Sequence, residues 1–174
     1  MSVGDAEKVV SELDTRLAVL IDLALTLKHI HWNVVGPQFI SVHEMIDAHL
    51  DMVRPMVDSA AERIATLGGT PTGTAAHVVE SRGSDDYPIA KAGVGEHLAA
   101  LDVVYTEVIT GHRNAAELVE DLDPVTQDLL IEHLRGLEQL QWFVRAHLEN
   151  AAGAIAESTG EKAAANKVRK AADS

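Results

Sequence analysis

Residues 28–62 read KHIHWNVVGPQFISVHEMIDAHLDMVRPMVDSAAE, and the spacing of their polar side chains organises the reading of the whole chain. A histidine, His31, precedes a Gly36-Pro37 break. His43 and Asp47 then stand one helical turn apart, as do Asp58 and Glu62. Imidazoles and carboxylates at helical spacing point to a divalent metal site. If residues 41–67 form one helix, Asp47 and Asp58 lie roughly 16 Å apart along its axis. Metal bonds to nitrogen and oxygen are only about 2.0–2.2 Å long, so one ion cannot reach both pairs on a straight helix. With His43 at zero and about 100° per residue, Asp47 falls near 40°, Asp58 near 60° and Glu62 near 100°. All four border one side. Two copies packed antiparallel about a two-fold axis near Met52 and Val53 bring His43 and Asp47 of one chain to Asp58 and Glu62 of the other. The expected site is therefore shared between subunits, two identical sites per dimer.

Outward from this stretch the pattern is helical throughout. Val10, Leu13, Leu17, Leu20, Ala24, Leu27 and His31 form one apolar stripe of a helix from about Val3 to Val34. Gly36-Pro37 stops it. Ser41 and Glu44 have the spacing of a capping box for the second helix, whose stripe runs from Ile46 to Leu67 before Gly68-Gly69. Pro55 inside that helix predicts a kink. Residues 70–92 read as a long connection with a short helix near residues 75–80. A third helix is expected from Val94 to about Leu122. A fourth begins at the Asp123 N-cap with Pro124 in its first position and runs to about Ala152. Trp142 reads as a core residue of that helix. Four helices joined by one long crossover define an all-α, ferritin-like bundle.

The chain has 174 residues, no cysteine and a formal net charge of −13, which excludes disulfides and thiolate metal sites. No apolar run is long enough to span a membrane, and the N-terminus lacks a signal-peptide pattern, so a cytoplasmic protein is expected. Four basic residues, Lys162, Lys167, Arg169 and Lys170, cluster near the C-terminus without an intervening acid. The expected division is a bundle over residues 1–156 and a mildly basic tail over 157–174. An acidic body repels phosphate backbones, so any DNA contact falls to that tail. The tail reads either as a helix-forming solubility segment or as a DNA-binding arm.

Three strings, KHIHWNVVGPQFISVHEMIDAHLD, AERIATLGG and DPVTQDLLIEHLRGLEQLQWFVRAHLE, together resemble the Dps family of bacterial mini-ferritins over roughly residues 10–150. The run HxHW, then HxxxD, then DxxxE is that family's ferroxidase pattern. The resemblance implies a hollow homododecamer built from two-fold dimers. It implies oxidation of Fe(II), preferably by hydrogen peroxide, at sites holding two iron ions, and storage of a ferric oxide core. Position by position, it makes His31, His43 and Asp47 the ligands from one subunit and Asp58 and Glu62 those from its two-fold partner. Trp32 matches a tryptophan beside the family's site and is a candidate for quenching stray radicals. The acids Asp121, Asp123 and Asp128, near the start of the fourth helix, match a negatively lined three-fold pore for iron entry; helix-dipole compensation is the competing account. Larger ferritins use Glu-x-x-His motifs inside one bundle, and no histidine here has Glu three residues before it. The competing function is a nucleoid-associated protein that compacts DNA and uses its cage mainly as a scaffold.

Overall fold

The computed structural model describes residues 1–149. Its elements are α1 (Val3–Asn33), β1 (Val34–Val35), α2 (Phe39–Thr66), α3 (Ala75–Ser81), β2 (Ala92–Gly93), α4 (Val94–Val119) and α5 (Pro124–Leu148). The expected ferritin-like bundle is the observed fold, short crossover helix included.

Helix α1 starts where the Ser2 hydroxyl accepts a hydrogen bond from the Asp5 amide at 3.2 Å, with Asp5 placed to complement the helix dipole. Its buried stripe, Val9, Leu13, Leu17, Leu20, Leu27 and Ile30, has no more than 2% exposure. The chain leaves the helix through Gly36, whose φ of 120° is open to glycine and strained for other residues. The helix after this turn begins earlier than the sequence predicts. The Phe39 amide already bonds the Gly36 carbonyl at 3.0 Å, so α2 starts at Phe39. Ser41 is then inside the first turn, its hydroxyl donates back to the Gln38 carbonyl at 2.9 Å, and the Ser41–Glu44 capping box does not form. Pro55 stands on the exposed side, with α2 helical on both sides of it.

The hairpins α1–α2 and α4–α5 each pack along their length. Between them the chain must return to the end of the bundle where α1 finished. A parallel pairing of β1 with β2, Val34 opposite Ala92 and Val35 opposite Gly93, fixes that return. Helix α4 therefore starts beside the end of α1 and runs in the same direction as α2. The crossover is tied to α1 by Arg82–Asp22 at 2.6 Å, His77–Asp14 at 2.6 Å, and the His29 imidazole donating to the Ile89 carbonyl at 2.7 Å.

Between the helices lies an apolar core that includes Leu98, Leu101, Leu130, Leu137 and Val144. Four histidines, His49, His97, His112 and His133, are buried in it. Trp142 is not: in the single chain its side chain is 61% exposed, because it falls on the face of α5 opposite Leu137, Gln141 and Val144. Among the described residues, no helix is long and apolar enough to cross a membrane.

Candidate metal centre

His31, in the last turn of α1, and His43, in the second turn of α2, meet where the Gly36-Pro37 turn folds the two helices together. Their rings stack with centroids 3.5 Å apart and planes 23° from parallel. Each ring reaches the other's backbone. Nδ1 of His31 lies 3.1 Å from the His43 carbonyl, and Nδ1 of His43 lies 2.9 Å from the His31 carbonyl. A carbonyl only accepts, so both Nδ1 atoms carry a hydrogen, which in the neutral imidazole leaves Nε2 with the bare lone pair. This is the tautomer a metal ligand needs, fixed by the neighbouring backbone.

Asp47, one turn along α2 from His43, completes the group. Its Oδ1 is 2.8 Å from Lys28 Nζ and 3.3 Å from His31 Nδ1. The hydrogen bond from Lys28 is the main reason its carboxyl sits below the usual carboxylate range; burial opposes it, and the electrostatic pull of His31, Lys28 and His43 adds to it. Asp47 is therefore ionised at neutral pH. Phe39 lies against His43 with centroids 4.9 Å apart. Trp32 is 72% exposed, with Lys28 Nζ 5.9 Å from the centre of its ring.

Asp58 and Glu62 lie farther along α2, exposed, and their carboxylates have no hydrogen bond or ion pair among the described residues. The chain brings His31, His43 and Asp47 together and leaves Asp58 and Glu62 apart from them. Among the described residues, no group of three or more such side chains is arranged to hold an ion by itself.

The three acids expected at a pore separate into two kinds. Asp121 and Asp128 are exposed. Asp123 is 8% exposed and is engaged inside the chain, 2.5 Å from Arg63 and hydrogen-bonded to Thr126. Burial works against its ionisation, but the bonds from Thr126 and Arg63 prevail and hold its carboxyl below the usual range. Asp123 occupies the N-cap position of α5 without capping it through its side chain, since Arg63 and Thr126 take the carboxylate. Lys162, Lys167, Arg169 and Lys170 lie outside the described residues.

Sequence reasoning missed Lys28 as the partner of Asp47. The available signal was its position three residues before His31, on the same side of α1. A groove of about 630 Å³ between α1, the crossover and α4 is lined by Arg16, Asp22, Arg82 and Glu107 and includes none of the centre's residues.

Comparison with known proteins bears on the whole chain. A family model described as a ferritin-like domain matches residues 10–154. A DNA protection during starvation protein from Mycolicibacterium smegmatis is 52% identical over 167 residues, which cover 95% of this chain and 91% of that protein. The tetragonal form of Mycobacterium smegmatis Dps superposes with a TM-score of 0.88 at 52% identity, covering 90% of this chain and 96% of that one. DpsA14 from Streptomyces coelicolor gives a TM-score of 0.86 at 57% identity, with 88% and 91% covered.

Proposed function

The chain belongs to the Dps family of ferritin-like proteins, and from that premise we propose that it is a ferroxidase that detoxifies and stores iron in a dodecameric cage. The observation that carries this reading is the reciprocal pair His31 and His43. The Nε2 atoms of His31 and His43, with Asp47 one turn along α2 from His43, supply one half of a metal site, and Asp58 and Glu62, without partners among the described residues, stand on the same helix as the other half. Two-fold pairing of α2 with its copy joins each half to the complementary half of the neighbour. Imidazole suits ferrous iron, and carboxylate favours the harder ferric product.

The substrates are Fe(II) and, preferably, hydrogen peroxide. Two ferrous ions each give up one electron, and one peroxide takes both electrons with two protons to become two waters. Pairing the electrons in this way avoids the one-electron reduction that releases hydroxyl radical. The ferric ions then hydrolyse and collect as an oxide core. Asp121 and Asp128 supply negative charge to an entry pore, and Trp32 stands beside the centre as a radical quencher. The bundle of residues 1–156 builds the shell, in the cytoplasm.

Replacing Asp58 and Glu62 together with alanine tests the reading. Both side chains are exposed and have no partners among the described residues, so the bundle and the dodecamer persist in light scattering. Rapid ferric absorbance after Fe(II) and peroxide then falls by more than about tenfold, since removal of groups that merely support ligands already costs about 10–100-fold. Undiminished oxidation by an intact dodecamer refutes the shared site.

A second activity rests on the tail. Lys162, Lys167, Arg169 and Lys170 offer phosphate contacts, and twelve copies on one particle act multivalently against the repulsion of an acidic shell. In this reading the particle also associates with the nucleoid.

A further inference from the structure

The groove of about 630 Å³ between α1, the crossover and α4 has the size of a small-ligand pocket, and it holds two opposite charges that do not meet. The first is Arg16 of α1, whose side chain is 13% exposed. Its guanidinium reaches across to α4 and lies on Gly111, where an added methyl carbon would overlap Nη1. Only a residue without Cβ lets it rest there. Glu12 stands 3.1 Å from Nε, yet the guanidinium makes no hydrogen bond among the described residues, and Nε is buried without a partner. Burial lowers the pKa of Arg16, and the charge of Glu12 opposes this. Arg82, the other cation lining the groove, is already taken by Asp22 and Asp86.

The second charge is Glu107, which lines the same groove one helical turn before Gly111, about 6 Å along the axis and on the same face of α4. Partial burial raises its pKa, and no cation or donor pairs with it among the described residues. Arg16 pairs with Glu12 instead. Val19, Leu23 and Val104 supply apolar wall beside the two charges, while Glu80 and Asp85 are exposed. Each of the two inner charges is partly stripped of water without a full set of partners. A simple anion would satisfy Arg16 but face the Glu107 carboxylate, and a simple cation would do the reverse. A zwitterion serves both, because a charge-assisted hydrogen bond forms at each end.

We propose that this groove is a binding site for a free α-amino acid with an apolar side chain. Its carboxylate sits on Arg16, its ammonium on Glu107, and its side chain against Val19, Leu23 and Val104. An ammonium and a carboxylate on one carbon match partners set one helical turn apart, and the apolar wall takes the rest of the molecule. The site shares no residue with the metal centre, and binding there does not depend on iron oxidation.

The test titrates three ligands into the assembled full-length protein and follows each by ligand-observed NMR. They are leucine, isocaproate, which lacks the ammonium, and isoamylamine, which lacks the carboxylate. Leucine binds saturably and at least about tenfold more tightly than either analogue, the loss expected when one hydrogen-bonded charge goes. Glu107→Gln brings leucine down to the affinity of isocaproate without weakening isocaproate. Arg16→Gln brings leucine down to the affinity of isoamylamine without weakening isoamylamine. Light scattering checks that each variant assembles. Arg16 is packed against α4, so if its variant fails to assemble, the exposed Glu107→Gln and the three ligands decide the matter alone. Absence of saturable leucine binding, as when a second copy covers the groove, overturns the proposal. So does either analogue binding as tightly as leucine, or leucine affinity unchanged in Glu107→Gln.

Discussion

His112 lies at the centre of the bundle with no exposed surface, and it sets a stability cost that can be worked out in advance. Its Nδ1 bonds the Val108 carbonyl at 3.0 Å, while its Nε2 has no partner among the described residues. The charged groups facing it are His133 on α5, with ring centroids 6.0 Å apart, and Arg16 on α1. Burial is the main force pushing its pKa down from 6.5 to about 3; the Val108 bond opposes this, and the charges of His133 and Arg16 add to it. The depressed value means that the unfolded chain takes up a proton that the folded chain refuses. Stability is thus complete above the unfolded value near pH 6.5 and is lost as pH falls from there toward 3. Between pH 7 and pH 5 this single group removes about 1.9 kcal/mol, from the titration of an ordinary histidine near 6.5 against a folded group that stays neutral. His112→Leu removes the titration at similar volume. Denaturant unfolding at pH 7 and pH 5, at one protein concentration, gives the loss for each protein. The variant's loss is smaller by about 1.9 kcal/mol per subunit, and carboxylates common to both proteins cancel in the difference. Equal losses would show that His112 is protonated, or reaches water, in the folded bundle, and would refute the reasoning.

Arg63→Met leaves the buried Asp123 carboxylate without its cation. Since the two side chains are 17% and 11% exposed, the loss in unfolding free energy is about 3 kcal/mol, at the low end for a broken buried pair. Adding Asp123→Asn recovers part of it, and a pair that contributed nothing would show no coupling in the double-mutant cycle. A protein ending at Ala156 loses the DNA gel shift that the full chain gives at low salt, while Fe(II) oxidation is unchanged. A shift that survives truncation would move DNA binding to the shell.

How much of this was legible depends on what kind of fact each residue expresses. The four long helices were readable because burial recurs every three to four residues. A stripe such as Leu13, Leu17, Leu20 and Leu27 reports its own environment without reference to any partner. The crossover was readable from its Gly and Thr content, and α3 within it from one short helical run. Boundaries fared less well at α2. Ser41 and Glu44 have the spacing of a capping box, yet the Gly36-Pro37 turn had already closed a helical bond at Phe39, and a cap cannot form inside a helix that has begun. Asp123 is the N-cap that its place before Pro124 predicts, but the partner of its carboxylate is not legible. Beside Pro124 it carries every local sign of an N-cap, and among neighbouring acids it reads as one more surface charge. Its actual partner, Arg63, lies sixty residues away on another helix. Trp142 fails for the opposite reason. A large apolar residue is placed in a core by composition, whereas its angular position on α5 points it away from the stripe that is buried.

The candidate centre divides along the same line. His43 with Asp47, and Asp58 with Glu62, are helical neighbours, so a single helix was enough to put each pair on one face. Their usefulness as ligands, however, depends on facts that no spacing contains. The mutual bonds between the His31 and His43 rings and backbones, which leave Nε2 bare on both, require α1 and α2 to meet at one angle. Lys28, reaching across from α1, holds the Asp47 carboxyl below its usual range. Periodicity can show which side chains share a face. The proton each nitrogen carries, and the charge each carboxylate keeps, are settled only when a second element arrives to supply a donor or an acceptor.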